Sequence, residues 1–165
     1  MHTAHKTRLV IYSALTIMCM VAIFVFSSQN AELSQELSDG LLAKLKAFIA
    51  LLPSISGQGA EHDIRKYAHL FEFCMLGVSS SLLMGELRLD IDRGWFRSLP
   101  GAFLVSWLFC VLYACTDEFH QFFVPGRSAQ LSDVGVDSAG ALIGCILVLI
   151  ICLVTAKAKG RGNNE

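Results

Sequence analysis

The chain has 165 residues, of which 54% are hydrophobic and only 16% charged, with a formal net charge of −1. That composition, with a positive mean hydropathy, excludes an ordinary soluble domain, and the near-zero charge leaves no electrostatic footprint for nucleic acid. The six cysteines lie within or at the ends of apolar runs and form no C-x-x-C pair. Neither a disulfide framework nor a zinc ribbon is supported, and these thiols read as small hydrophobes.

In chain order, His2, His5, Lys6 and Arg8 precede an apolar run over 9–26, long enough to span a bilayer with some tilt. The run exceeds the core of a signal peptide, and Phe26-Ser27-Ser28-Gln29 is not a small-residue cleavage site, so it reads as a retained helix. Over 31–52, Leu33, Leu37, Leu41, Leu45, Phe48 and Leu52 recur every three or four residues between polar ones. This pattern predicts an amphipathic helix that lies in the membrane interface or caps the bundle. Pro53, Gly57 and Gly59 end it.

A second span is predicted over 67–84, with His69 and Glu72 in its first two turns. The polar turn over 85–98 carries Arg88, Arg93 and Arg97; a third span follows over 99–116 and a fourth over 134–154. The tail, 156–165, is polar and expected to be disordered. The fold class is therefore all-α: one polytopic membrane domain over 1–165, with four transmembrane helices and an amphipathic extracytoplasmic helix between the first and second.

Four spans place both termini on one side. Eight of the thirteen Lys and Arg residues fall on that side, which predicts cytoplasmic termini. His69, Glu72, Asp117, Glu118, His120, Arg127, Asp133 and Asp137 then gather at the outer face. Ionisable groups at the edge of a membrane-depth segment are expensive and mark a functional site by default.

At about 100° per residue, Asp117, His120 and Gln121 share one face of the third span, and Lys66, His69, Phe73 and Gly77 share one on the second, with Glu72 on its flank. Asp133, Asp137, Gly140 and Gly144 fall in a stripe roughly 60° wide, and the two glycines let a neighbouring helix approach closely. Bland readings stand beside the functional one. Asp117, His120 and Arg127 also suit helix ends, Asp133 suits a helix N-terminus, and Lys66 suits snorkelling. Glu72 resists such a reading, because it lies well inside an apolar helix.

Three segments carry a resemblance. Ile23-Phe24-Val25-Phe26-Ser27-Ser28-Gln29 is similar to the end of the first helix of the VanZ-like family of small bacterial membrane proteins. Ile64-Arg65-Lys66-Tyr67-Ala68-His69-Leu70-Phe71-Glu72-Phe73 resembles its R-K-x-x-H-x-x-E segment. Asp117-Glu118-Phe119-His120-Gln121, Pro125-Gly126-Arg127-Ser128 and then Asp133, Asp137 and Gly140 resemble its D-E-x-H-Q, P-G-R and D-x-x-x-D-x-x-G signature. The resemblance implies a bacterial plasma-membrane protein and a link to resistance against the glycopeptide teicoplanin, without a settled activity.

Two functions stand nearly level. In the first, an enzyme acts on a membrane lipid or lipid-linked envelope precursor, with Glu72, His120, Asp117 and His69 as catalytic candidates. Lys66, Glu118, Gln121, Arg127, Ser128, Asp133 and Asp137 would bind the ligand, Arg127 and Lys66 holding a phosphate. In the second, the same pocket binds or shields that ligand without catalysis. A proton-coupled transporter ranks behind both, since the charges gather at one face. No cofactor is assigned. The residue types would suit a divalent metal, but no H-E-x-x-H spacing is present, so no metal ligand is assigned either. Ser128 lacks a nucleophile-elbow context.

Overall fold

The computed structural model describes residues 2–29, 60–89, 98–127 and 130–162. Among the described residues the chain forms four helices and no strand: α1 (His2–Ser27), α2 (Ala60–Leu87), α3 (Leu99–Gln121) and α4 (Leu131–Gly162). Each holds a stretch long and apolar enough to cross a bilayer, namely Thr3–Ser27, Lys66–Leu87, Leu99–Gln121 and Leu131–Lys157. The amphipathic helix expected over 31–52 lies outside the described residues.

The helices overrun the spans read from hydropathy. At membrane depth only internal hydrogen bonding satisfies the backbone, so a helix continues through polar residues until a cap or turn stops it. Two differences follow. The third span, read from hydropathy as ending at 116, continues through 117–121 as the last turns of its helix α3, in keeping with the shared face read for Asp117, His120 and Gln121. The polar tail expected to be disordered from 156 is helical as far as Gly162, where Lys and Ala favour a helix and cations suit its C-terminus.

Local chemistry sets the ends of α3. Ser98 is its N-cap, its Oγ accepting from the Gly101 N–H at 3.1 Å, and Pro100 occupies the first turn, where no N–H is needed. Beyond its C-terminus the Arg127 N–H bonds the Val124 carbonyl at 3.1 Å, closing a turn through Pro125 and Gly126. Gly126 has φ 77°, the value a type II turn demands after its proline.

The bundle is apolar outside and packed tightly inside. Val10, Ile17, Val21, Leu112, Ile143 and Ile151 are exposed, as suits a surface facing hydrocarbon. Ile23, Phe73, Leu76, Cys110, Ala114 and Ala141 form one core, and Phe103, Cys145 and Val148 a second. Small polar groups add hydrogen bonds between helices: Ser80 Oγ lies 2.7 Å from Ser106 Oγ, and Ser81 Oγ 3.1 Å from the same atom. Trp107 Nε1 donates to the Ser138 carbonyl (3.0 Å), and Tyr113 OH donates to the Met20 carbonyl (2.7 Å), tying α3 to α4 and to α1.

The most extensive packing joins α2 to α4. Their backbones approach so closely that a Cβ on Gly140 would meet the Leu70 carbonyl oxygen, and one on Gly144 the Cys74 carbonyl oxygen. Gly77 stands in the same relation to Ala141 from the other side. The small-residue stripe read from the sequence is thus the contact surface. Replacing Gly140 with Leu is expected to lower stability by at least about 2 kcal/mol, since backbone rather than a flexible side chain must yield. Gly135→Leu is its control, because nothing lies within 4 Å of a Cβ there. Thermal unfolding in detergent reads both, and equal losses would contradict the close-packing account.

Candidate functional site

One end of the bundle, where α1 and α3 finish and α2 and α4 begin, collects the ionisable residues. Asp117, on the last turns of α3, is 3% exposed. Its Oδ2 accepts from Ser27 Oγ at 2.8 Å and from Gln121 Nε2 at 2.9 Å. Asp117 and Gln121 are one helical turn apart, so both reach the same hydroxyl at the end of α1. Ser27, fully buried, is a residue of this group that the sequence reading did not count among the site candidates, although it lies in the segment resembling the end of the family's first helix. A hydroxyl ending an apolar run, one helix away from a buried acid, is the signal that could have found it.

The α2–α4 contact brings His69 to Asp137. His69 Nδ1 lies 3.7 Å from Asp137 Oδ1, too long for a hydrogen bond. Asp137 is 1% exposed, and neither of its oxygens accepts a hydrogen bond from the described residues. Asp117 Oδ1, Glu72 Oε2 and Glu118 Oε2 are likewise buried without a hydrogen bond. The charges interact: Glu72 is within electrostatic reach of Asp117 and Arg127, and Asp137 of Asp117, Glu118, Asp133 and Glu72. An uncompensated buried carboxylate costs several kcal/mol, so this set is not explained by fold stability.

The other candidates occupy distinct places. His120 turns towards α1, with Nε2 3.1 Å from Ser28 Oγ and its ring centroid 4.6 Å from that of Phe24. It neighbours the group of His69, Asp117 and Asp137 rather than completing it. Glu118 Oε1 accepts from the Gln130 N–H at 2.6 Å, which anchors the approach to α4. Asp133 lies in the first turn of α4, where a carboxylate meets the positive end of the helix dipole. Lys66 opens the second span and is half-buried, and Ser128 lies outside the described residues.

Arg127 has a definite structural role. Its Nε donates to the Gln29 carbonyl, Nη2 to the Phe26 carbonyl and Nη1 to Gln121 Oε1, each at 3.3 Å. The guanidinium thereby closes the C-terminus of α1, where carbonyls lack helical partners and a cation suits the dipole. Its fork also ties that end to Gln121 and so to Asp117.

Beside the acids, a groove of about 390 Å³ is lined by Cys115, Phe119, Phe122, Leu131 and Val134, with Glu118 and Gln130 among its walls. Glu118 therefore belongs to both the groove and the buried acidic set. Phe119, Phe122 and Leu131 are exposed, so the groove opens on the apolar exterior.

Four helices long and apolar enough to cross a bilayer, with ionisable groups buried at one end of their bundle, mark a multi-pass membrane protein. The chain belongs to the VanZ/LLP1 family, whose model matches residues 12–152, an interval that contains every candidate site residue. No curated protein and no solved structure matches it.

Proposed function

We propose that this VanZ-type protein resides in the bacterial cytoplasmic membrane with both termini inside. Its polar end then lies at the outer face and binds a membrane lipid or lipid-linked envelope precursor. The observation that carries the reading is that Glu118, one of the acids with a buried oxygen lacking a hydrogen bond, also lines the apolar groove. The groove's volume of about 390 Å³ falls in the range of small-molecule sites, and its aromatic and aliphatic walls suit a hydrocarbon chain. The bare oxygens of Glu118 and Glu72 suit a head group that brings hydroxyl or amine donors. Three donors of Arg127 are directed at carbonyls and Gln121, which weighs against a phosphate held chiefly by that residue.

If the ligand is a wall precursor, its capture would shield it from a glycopeptide such as teicoplanin, and resistance of the kind linked to the family would follow. A catalytic reading has one observation in its favour. Glu72 has an oxygen without a hydrogen bond beside the like charge of Asp117, and a carboxyl with a vacant oxygen can take or give a proton.

Mass spectrometry of envelope lipids and of the detergent-purified protein tests this reading, comparing wild type with Glu72→Gln at matched protein levels. The wild type is expected to carry a lipid or precursor that the variant retains about tenfold less well, as loss of one charged contact implies. A covalently altered species present only with wild type would make the protein an enzyme. Identical profiles with nothing bound would overturn both. Orientation is checked by a reporter fused after Glu165 that matures only in the cytoplasm. It is expected to be active, and an inactive fusion at normal protein level would put the acids at the inner face.

A further inference from the structure

A nitrogen of His69 and one carboxylate oxygen from each of Asp117 and Asp137 lie within 4.8 Å of one another. The three residues come from three helices, α2, α3 and α4, so tertiary packing rather than a local sequence motif creates the group. The acids are buried, with 3% and 1% exposure, and neither Asp137 oxygen nor Asp117 Oδ1 accepts a hydrogen bond from the described residues. Asp137 is thus a nine-tenths buried polar side chain directed into the cluster with both acceptors vacant. Glu72 and Glu118 add further negative charge within reach of Asp137; Arg127 acts electrostatically on those two glutamates, while its hydrogen bonds go to the Phe26 and Gln29 carbonyls and to Gln121. The charge and the bare oxygens together call for a cation.

We propose that His69, Asp117 and Asp137 bind a divalent transition-metal ion of the zinc class. The inference rests on these three helices and does not depend on which lipid, if any, fills the groove. Ions of this class bond imidazole nitrogen and carboxylate oxygen at about 2.0–2.2 Å, which sets donor atoms about 3–4 Å apart. Side-chain shifts of about 1 Å close the observed group on one ion. The mixed donor set selects against calcium and magnesium, which take oxygen ligands almost throughout. The hydrogen bonds of Asp117 suit a ligand. Ser27 and Gln121 fix one of its oxygens by hydrogen bonds and leave the other bare, as outer hydrogen bonds orient metal-binding carboxylates. Three protein ligands leave a coordination position open for water or a ligand oxygen, with Glu72 beside it.

The test uses the full-length protein in detergent, stripped with a chelator, incubated with zinc and desalted before elemental analysis. The wild type is expected to retain about one zinc per chain, and Asp137→Asn and His69→Gln to bind at least about tenfold more weakly. Glu86→Gln is the control, since it removes a carboxylate that sits beside His5 at the opposite end of the bundle. Zinc is also expected to raise the unfolding midpoint of the unmutated protein where magnesium does not, a readout that needs no variant to fold. Cobalt substitution should give a visible absorption spectrum that Asp137→Asn abolishes. A wild-type midpoint unmoved by zinc, or equal retention by wild type and Asp137→Asn, would overturn the proposal.

Discussion

The backbone-to-backbone contact of α2 with α4 is the constraint on which the rest of the molecule depends. In lipid, apolar side chains gain little by leaving their surroundings, so helices associate through close packing and hydrogen bonds. Gly140, Gly144 and Gly77 supply the packing by removing the side chains that would hold the two backbones apart. Because the helices touch there, the turns on either side have fixed partners. His69 is set against Asp137 at one end, and Cys145 is set against the Gly77 carbonyl further along. The α3 helix then docks through Trp107 and the buried serines, and its final turns carry Asp117 into the same space.

The two ends of the bundle treat charge in opposite ways. At one end Glu86 is matched, its carboxylate bonded by His5 Nδ1 and Arg8 Nε, each at 2.8 Å. That arrangement joins α1 to α2 and leaves little for a ligand. At the other end four carboxylates gather with vacant oxygens, and the neighbouring guanidinium gives its hydrogen bonds to the Phe26 and Gln29 carbonyls and to Gln121. A protein selected for stability alone would place apolar residues there, since unpaired buried charge costs several kcal/mol. The contrast supports a site retained for what it binds.

Much of this was legible because helical periodicity states which residues share a face. The 133–137–140–144 stripe puts Asp137 on the same side as the packing glycines, and His69 shares a face with Gly77; once the glycines touch, these residues must meet. Hydropathy likewise locates the spans. What periodicity does not state is the partner. Asp117 and His120 share a sector of α3, yet one meets Ser27 and the other Ser28 and Phe24, because the end of α1 divides them. Arg127 reads in the sequence as a phosphate ligand, and the Pro125–Gly126 turn brings its donors to the Phe26 and Gln29 carbonyls and to Gln121. A metal-ligand spacing is absent along the chain for a physical reason: the candidate donors sit one per helix, so no short motif records them.

The central claim is that the acidic cluster is kept for a ligand at the expense of the fold. Its most direct test is the unfolding stability of Asp137→Asn in detergent with a chelator present, so that no bound cation contributes. The amide removes a buried charge among like charges and brings donors of its own, so the variant should be at least as stable as the wild type. A clear loss of stability, comparable to that of a core truncation, would mean that Asp137 holds the bundle together and that the cluster is structural.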